Sequence, residues 1–161
     1  MSIIEIKPIG VVKTKHSDQE VSNSWPEGVE GVLEIFQEYS EGLRGLEGFS
    51  HLIVLAWLHK VSGDQRNVLK VKFRRFARMG IRLEELPEVG VFASDSPHRP
   101  NPIAISIVKL RKIEGNRVYV SRLDLYDGTP ILDLRAYTPF YSLSDFRIPK
   151  WYRDLLKKTR K

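Results

Sequence analysis

Ile103-Ala104-Ile105-Ser106-Ile107-Val108-Lys109-Leu110-Arg111-Lys112-Ile113-Glu114-Gly115-Asn116-Arg117-Val118-Tyr119-Val120-Ser121-Arg122-Leu123-Asp124 reads as two β-strands and the turn between them. Glu114-Gly115-Asn116-Arg117 carries the turn signal, so residues 103–113 and 118–124 form a hairpin. Downstream, Asp127-Gly128-Thr129-Pro130 is a second tight turn and opens a strand over 131–137. Upstream, Ser50 to Lys60 is the most hydrophobic segment and apolar on both faces when extended, which predicts a central, doubly covered strand. Residues 3–12, 31–36 and 89–93 read as further strands, with Pro8 confining part of the first to an edge. Residues 13–28 are polar and without period, which predicts a long loop. The three glycines between Tyr39 and Phe49 allow a short helical turn at most. Residues 61–89 sustain no period, and Trp151 to Lys161 predicts a short basic helix. About seven short strands with few helices place the chain in the mainly β class, as a small antiparallel β-barrel or strongly bent sheet.

A length of 161 residues suits one domain with at most a short appendage, and a hydrophobic fraction of 42% supplies a core. The absence of cysteine removes disulfides and thiolate metal sites and fits a reducing cytoplasm. No apolar run reaches the roughly 18 residues of a membrane span, so a soluble protein is expected, with no membrane partner. Twenty-six Lys and Arg against 20 Asp and Glu give a charge of +6, which favours an anionic partner. Between Arg66 and Leu83 there are seven basic residues and no acid, with Phe73 and Phe76 interleaved. Within this run Lys72, Arg74, Arg75 and Arg78 are the RNA-binding candidates, against the bland alternative of a solvated face. A second basic set, Lys150, Arg153, Lys157, Lys158, Arg160 and Lys161, lies in the C-terminal segment.

The least ordinary loop is Ser94-Asp95-Ser96-Pro97-His98-Arg99-Pro100-Asn101-Pro102, in which three prolines stiffen the backbone. Arg99, Asn101 and Pro102 are its candidate ligand wall; the alternative is a rigid turn that satisfies its own backbone. Asp127 is open to an Asx-turn role, while Asp124 and Asp133 interrupt apolar segments and need partners, for which Arg99 and Arg135 are available. His51 and His59 share a strand face but lie about 26 Å apart at roughly 3.3 Å per residue, too far for one metal, and no metal site is expected. Glycine-rich nucleotide loops, nucleophile elbows and Cys/His ligand sets are absent.

Four motifs in order, Gly42-Leu43 to His51, Gly90-Val91-Phe92-Ala93, Arg99-Pro100-Asn101-Pro102-Ile103, and Asp124 to Asp133 with Tyr137, resemble the TsaA-like family, whose characterised members include a tRNA methyltransferase. The resemblance covers about residues 5–141 and implies a TsaA-like β-barrel domain over 1–141, with 142–161 as a basic tail or short helix. It further implies a homodimer that binds S-adenosylmethionine and methylates N6 of threonylcarbamoyladenosine at position 37 of tRNA. Carried over by position, His59, Lys60, Asp95, Ile105, Tyr126, Asp127, Gly128 and Thr129 are the donor-site candidates. Asp133 and Tyr137 are the candidates for accepting the proton of the acceptor nitrogen. Asp95 stands where the family carries an arginine, the early Pro-Arg-Gln segment is missing, Ala104 replaces a glycine, and Lys-Pro-Tyr is Arg135-Ala136-Tyr137. These departures keep two other readings in play, a different and smaller acceptor on the same fold, and a non-catalytic module that binds RNA or an adenosyl ligand.

Overall fold

The computed structural model describes residues 1–159. Eight strands form: β1 (Gly10–Lys13), β2 (Val29–Ile35), β3 (His51–Trp57), β4 (Lys70–Lys72), β5 (Glu88–Gly90), β6 (Ile103–Glu114), β7 (Arg117–Leu123) and β8 (Pro130–Ala136). Three α-helices accompany them, α1 (Asp18–Ser24), α2 (Arg74–Ala77) and α3 (Lys150–Thr159), together with short 3-10 turns. Six strands close into an antiparallel barrel in the order β1-β2-β7-β6-β3-β8. Strands β4 and β5 pair with each other in a separate two-stranded sheet.

The chain divides into two compact units, a barrel unit of residues 1–60 and 103–139, and a second unit of 61–102 and 140–161. Residues 61–102 thus share a unit with the C-terminal segment.

Alternation builds the barrel interior. On β3, Leu52, Val54 and Ala56 are fully buried, and on β6 the inward positions are Ser106 and Val108. The register sets Val12 opposite Leu33, Leu33 opposite Val118 and Leu52 opposite Val108, so inward side chains meet across each ladder. A one-residue slip would turn this whole set outward. At Gly10 a Cβ would lie 2.4 Å from the Glu34 carbonyl oxygen, so only glycine lets β1 and β2 approach this closely. The outer face of β3 is partly covered: Ile53 is buried, whereas Leu55 and Trp57 are half-buried.

Three expected elements change. The first strand is confined to Gly10–Lys13, and Ile3, Ile4 and Ile6 before it are exposed. The predicted loop over 13–28 contains α1, whose Ser17 cap is reciprocal: Ser17 Oγ accepts from the Glu20 N–H, and Glu20 accepts from the Ser17 N–H at 2.7 Å. The strand expected over 89–93 ends at Gly90 and passes into a 3-10 turn over Val91–Ala93, outside the barrel.

The second unit has a core of its own. Phe76, Ile81, Leu86 and Leu155 are buried, with Phe73, Trp151 and Tyr152 packed on them. Ring centroids of Phe73 lie 5.6 Å from those of Trp151 and Tyr152, in edge-on geometry. The predicted C-terminal helix is α3; its Leu155 supplies the core, and Arg153, Lys157 and Lys158 stay exposed. Arg160 and Lys161 lie outside the described residues. No helix among the described residues is long and apolar enough to cross a membrane.

Candidate functional site

In the barrel unit, three segments far apart in sequence converge where β1 ends, β3 exits and β8 begins. The turn before β8 is tied to β1 by backbone: Gly128 N–H donates to the Val12 carbonyl at 2.8 Å, and Val12 N–H donates to the Thr129 carbonyl at 2.9 Å. Gly128 has a φ of +79°, a left-handed conformation that side chains resist, and a Cβ there would sit 3.9 Å from His59 Nε2. Asp127 Oδ1 accepts the Thr14 N–H at 2.9 Å. Of the roles open to Asp127, the geometry shows one beyond its own turn: it holds the residue after β1, 113 positions away.

Lys60 follows β3. Its ammonium pairs with the Asp18 carboxylate at the start of α1 and stands 5.3 Å from the Tyr126 ring centroid. His59, Lys60, Tyr126, Asp127 and Gly128 are thus brought together, with Thr14 and Asp18 as neighbours that the sequence did not single out. Asp18 has a partner 42 residues away, which no local pattern encodes. The Ser17-Asp18-Gln19-Glu20 run did carry a capping-box signal, and with it the helix that positions Asp18. The Ser17 backbone N–H, and then its hydroxyl, hold the Glu20 carboxyl below the usual glutamate range.

The other donor-site candidates are placed differently. Thr129 is buried, and its hydroxyl donates to the Tyr126 carbonyl at 2.7 Å, so its side chain closes the turn. Ile105 is 71% exposed on the outer face of β6, opposite Leu55. Asp95 belongs to the second unit, where it is exposed and pairs with Arg75 at 3.4 Å. Asp133 Oδ1 accepts its own neighbour's N–H, Leu134, at 3.0 Å, and Oδ2 takes Arg135 Nε at 3.1 Å. Tyr137 packs edge-on to His51 with centroids 6.4 Å apart. Arg99 and Arg135 were available to Asp124, but its partner is Ser106, whose buried hydroxyl donates to it.

In the second unit the proline loop is braced from within. Arg99 donates to the carbonyls of Ser94 and Ser96 at 2.9 and 3.3 Å, and Arg66 Nε donates to the Pro100 carbonyl at 2.9 Å. Pro102 is buried and Asn101 exposed. Of the RNA candidates, Lys72 donates to the Leu83 carbonyl at 3.2 Å, Arg75 pairs with Asp95, and Arg74 is exposed. Phe73 and Phe76, interleaved with these cations in sequence, are core residues rather than exposed rings. Among the described residues no cluster of His, Asp and Glu could hold a metal ion.

A family model for the tRNA-methyltransferase O N-terminal domain matches residues 12–142. An S-adenosyl-L-methionine-binding protein of Archaeoglobus fulgidus is 38% identical over 136 residues, covering 83% of this chain and 89% of the relative. A tRNA (adenine(37)-N6)-methyltransferase of Mus musculus is 40% identical over 107 residues, 66% of this chain but 23% of the mouse protein. The crystal structure of TrmO from Pseudomonas aeruginosa superposes with a TM-score of 0.68 at 28% identity, over 91% of this chain and 62% of that one. The chain thus spans about three fifths of the crystallised TrmO. The match of the family model over most of the chain, on a barrel of the same fold, establishes that this protein belongs to the tRNA-methyltransferase O N-terminal domain family.

Proposed function

We propose that this chain is an S-adenosylmethionine-dependent methyltransferase acting on N6 of an adenosine in tRNA, with threonylcarbamoyladenosine at position 37 as the acceptor. The observation that carries the reading is the convergence of residues 14–18, 59–60 and 126–128 in the barrel unit, in a family whose relatives are named for this donor. The residues suit the donor's chemistry. Tyr126 already accepts one cation over its ring, and the Asp18 carboxylate stands beside that cation, so ring and carboxylate suit a sulfonium. At Gly128 the missing side chain leaves backbone open beside His59. His59, Lys60, Tyr126, Asp127 and Gly128 would hold the donor, with Ile105 as an outlying candidate of the same unit; Asp95 is a separate candidate in the second unit.

When bound, S-adenosylmethionine supplies an electrophilic methyl group on sulfur. The chain's own task is then positioning: keeping the acceptor nitrogen in line at roughly 3 to 3.5 Å and excluding competing orientations. Asp133 and Tyr137 remain the candidates for taking the acceptor's proton, Asp133 only after yielding its bonds to Leu134 and Arg135. Lys72, Arg74, Arg75 and Arg78 hold tRNA phosphates, and Arg99, Asn101 and Pro102 remain the candidate ligand wall of the proline loop. Pairing of two copies and a cytoplasmic location belong to the same proposal.

Calorimetric titration with S-adenosylmethionine tests it. Saturable heat is expected, followed by mass gain at an adenosine in tRNA incubated with donor and protein. No heat at millimolar donor would overturn the reading and leave a binding module. Donor binding with unmodified tRNA would instead favour a small acceptor.

A further inference from the structure

We propose that the second unit is a platform for single-stranded RNA, in which the exposed rings of Phe92, Phe140 and Phe146 stack on unpaired bases while cations of α2 and α3 hold the backbone. The proposal rests on tRNA being the acceptor and extends that reading from the α2 cations to α3 and the exposed rings, which it left without a role.

The first observation is charge. Residues 61–102 and 140–159 hold 13 Lys and Arg against 7 Asp and Glu, whereas the barrel unit holds 11 against 13. Among the described residues the positive excess lies wholly in the second unit. The sequence divides this excess between two separate runs; the packing of Leu155, Trp151 and Tyr152 on Phe73 and Phe76 joins them. On α3, Lys150, Arg153 and Lys157 recur at helical spacing along the exposed face, within about 10 Å at 1.5 Å per residue. Arg74, Arg153 and Lys157 enter no salt bridge with a described residue, so their charges face solvent.

The second observation is independent of charge. Phe140 is 94% exposed, Phe92 81% and Phe146 68%, and the most exposed phenylalanines of the barrel unit, Phe36 and Phe49, reach 39% and 38%. The second unit therefore packs four aromatic rings into its core, Phe73, Phe76, Trp151 and Tyr152, and leaves four outside it, Phe92, Phe140, Tyr141 and Phe146. In the segment Phe140-Tyr141-Ser142-Leu143-Ser144-Asp145-Phe146-Arg147, Ser142 and Ser144-Asp145 separate the exposed Phe140-Tyr141, Leu143 and Phe146, which suits separate stacking positions better than one continuous protein-docking patch. Exposed rings and cations on one unit are the chemistry by which unpaired bases are held: each base offers a face for stacking and each phosphate a charge. Duplex RNA hides its base faces and offers the charge alone.

The test uses the full chain without donor and a labelled unstructured RNA 12-mer, alone and annealed to its complement. Single-strand affinity should exceed duplex affinity. Phe140→Ala with Phe146→Ala should weaken single-strand binding by about tenfold per ring with an unchanged salt slope. Arg153→Ala with Lys157→Ala should lower the slope of log affinity against log salt by about 1.4. All four side chains are exposed, so thermal melting should match the parent and show that the variants fold. Equal affinity for single strand and duplex, or ring variants that bind as the parent does, would overturn the proposal. So would self-association that disappears in the ring variants, which would assign the rings to a second copy. Ring-dependent RNA binding with no methylation of tRNA would sink the methyltransferase reading alone; methylation with unchanged ring-variant affinity would sink this inference alone.

Discussion

The barrel unit and the second unit bury apolar surface in opposite ways. The barrel encloses aliphatic side chains from six paired strands, and every strand has a neighbour on both sides, so no edge is left to protect. The second unit has one antiparallel pair of three-residue strands and gathers its core from aromatic and aliphatic side chains of two segments far apart in sequence. The first solution is continuous and local in pattern. The second depends on a long-range meeting of Phe73 and Phe76 with Trp151 and Tyr152. Stability is therefore expected to concentrate in the barrel, with the basic unit opening more readily.

The strongest way to break that comparison is to remove one leucine from each core. Leu52 is fully buried between Val108 and Ala136 in register, and Leu52→Ala should cost about 3 to 4 kcal/mol and lower the melting temperature by about 10 °C. Leu155 is 5% exposed, and Leu155→Ala should cost about 2 kcal/mol, with faster amide exchange confined to residues 70–90 and 150–159. Exchange spreading into β3 and β6 in the Leu155 variant would mean that the two cores unfold as one.

A middle-sized effect tests the polar exception inside the barrel. Ser106 is 2% exposed and gives its hydroxyl to Asp124, which interrupts the apolar run leading out of β7. Ser106→Ala leaves that carboxylate short of a donor and should cost about 2 kcal/mol in urea unfolding, while Asp124→Asn should recover part of it by lowering the desolvation cost. An unchanged unfolding midpoint in Ser106→Ala would show that solvent already serves Asp124.

The same contrast explains what was legible in the sequence. The hairpin of β6 and β7 and the central β3 were readable because alternation records an inside and an outside at every second residue. β5 was readable as extended chain but not as a partner of β4, since periodicity carries no information about pairing. The core role of Phe73 and Phe76 was hidden for a related reason: nothing local in a run of arginines announces Trp151, which packs on Phe73 from 78 residues away. At the candidate site, His59, Lys60 and residues 126–129 entered through a family resemblance, and the geometry then added Asp18 and Thr14. The bonds of Arg99 to the carbonyls of Ser94 and Ser96 could not be read, because these partners are backbone atoms that no side-chain pattern announces.

The smallest effect probes how the second unit is held at its charged surface. Glu85 receives Lys158 at 3.2 Å and Arg82 at 3.4 Å, and the Lys158 hydrogen bond, followed by that of Arg82, lowers its pKa below the ordinary 4.5. A carboxylate depressed in the folded state contributes stability that is complete above the unfolded value and is lost as pH falls through the folded value. Both partners are largely in water, so the contribution is small and screened by salt. In Glu85→Gln the amide exchange of α3 should be slightly faster than in the parent at pH 6, and the difference should shrink as pH falls below 4.5 and vanish in high salt. A difference that persists through acid would mean that the glutamate side chain supports α3 by packing, and the docking of the basic helix would then depend on its aromatic face alone.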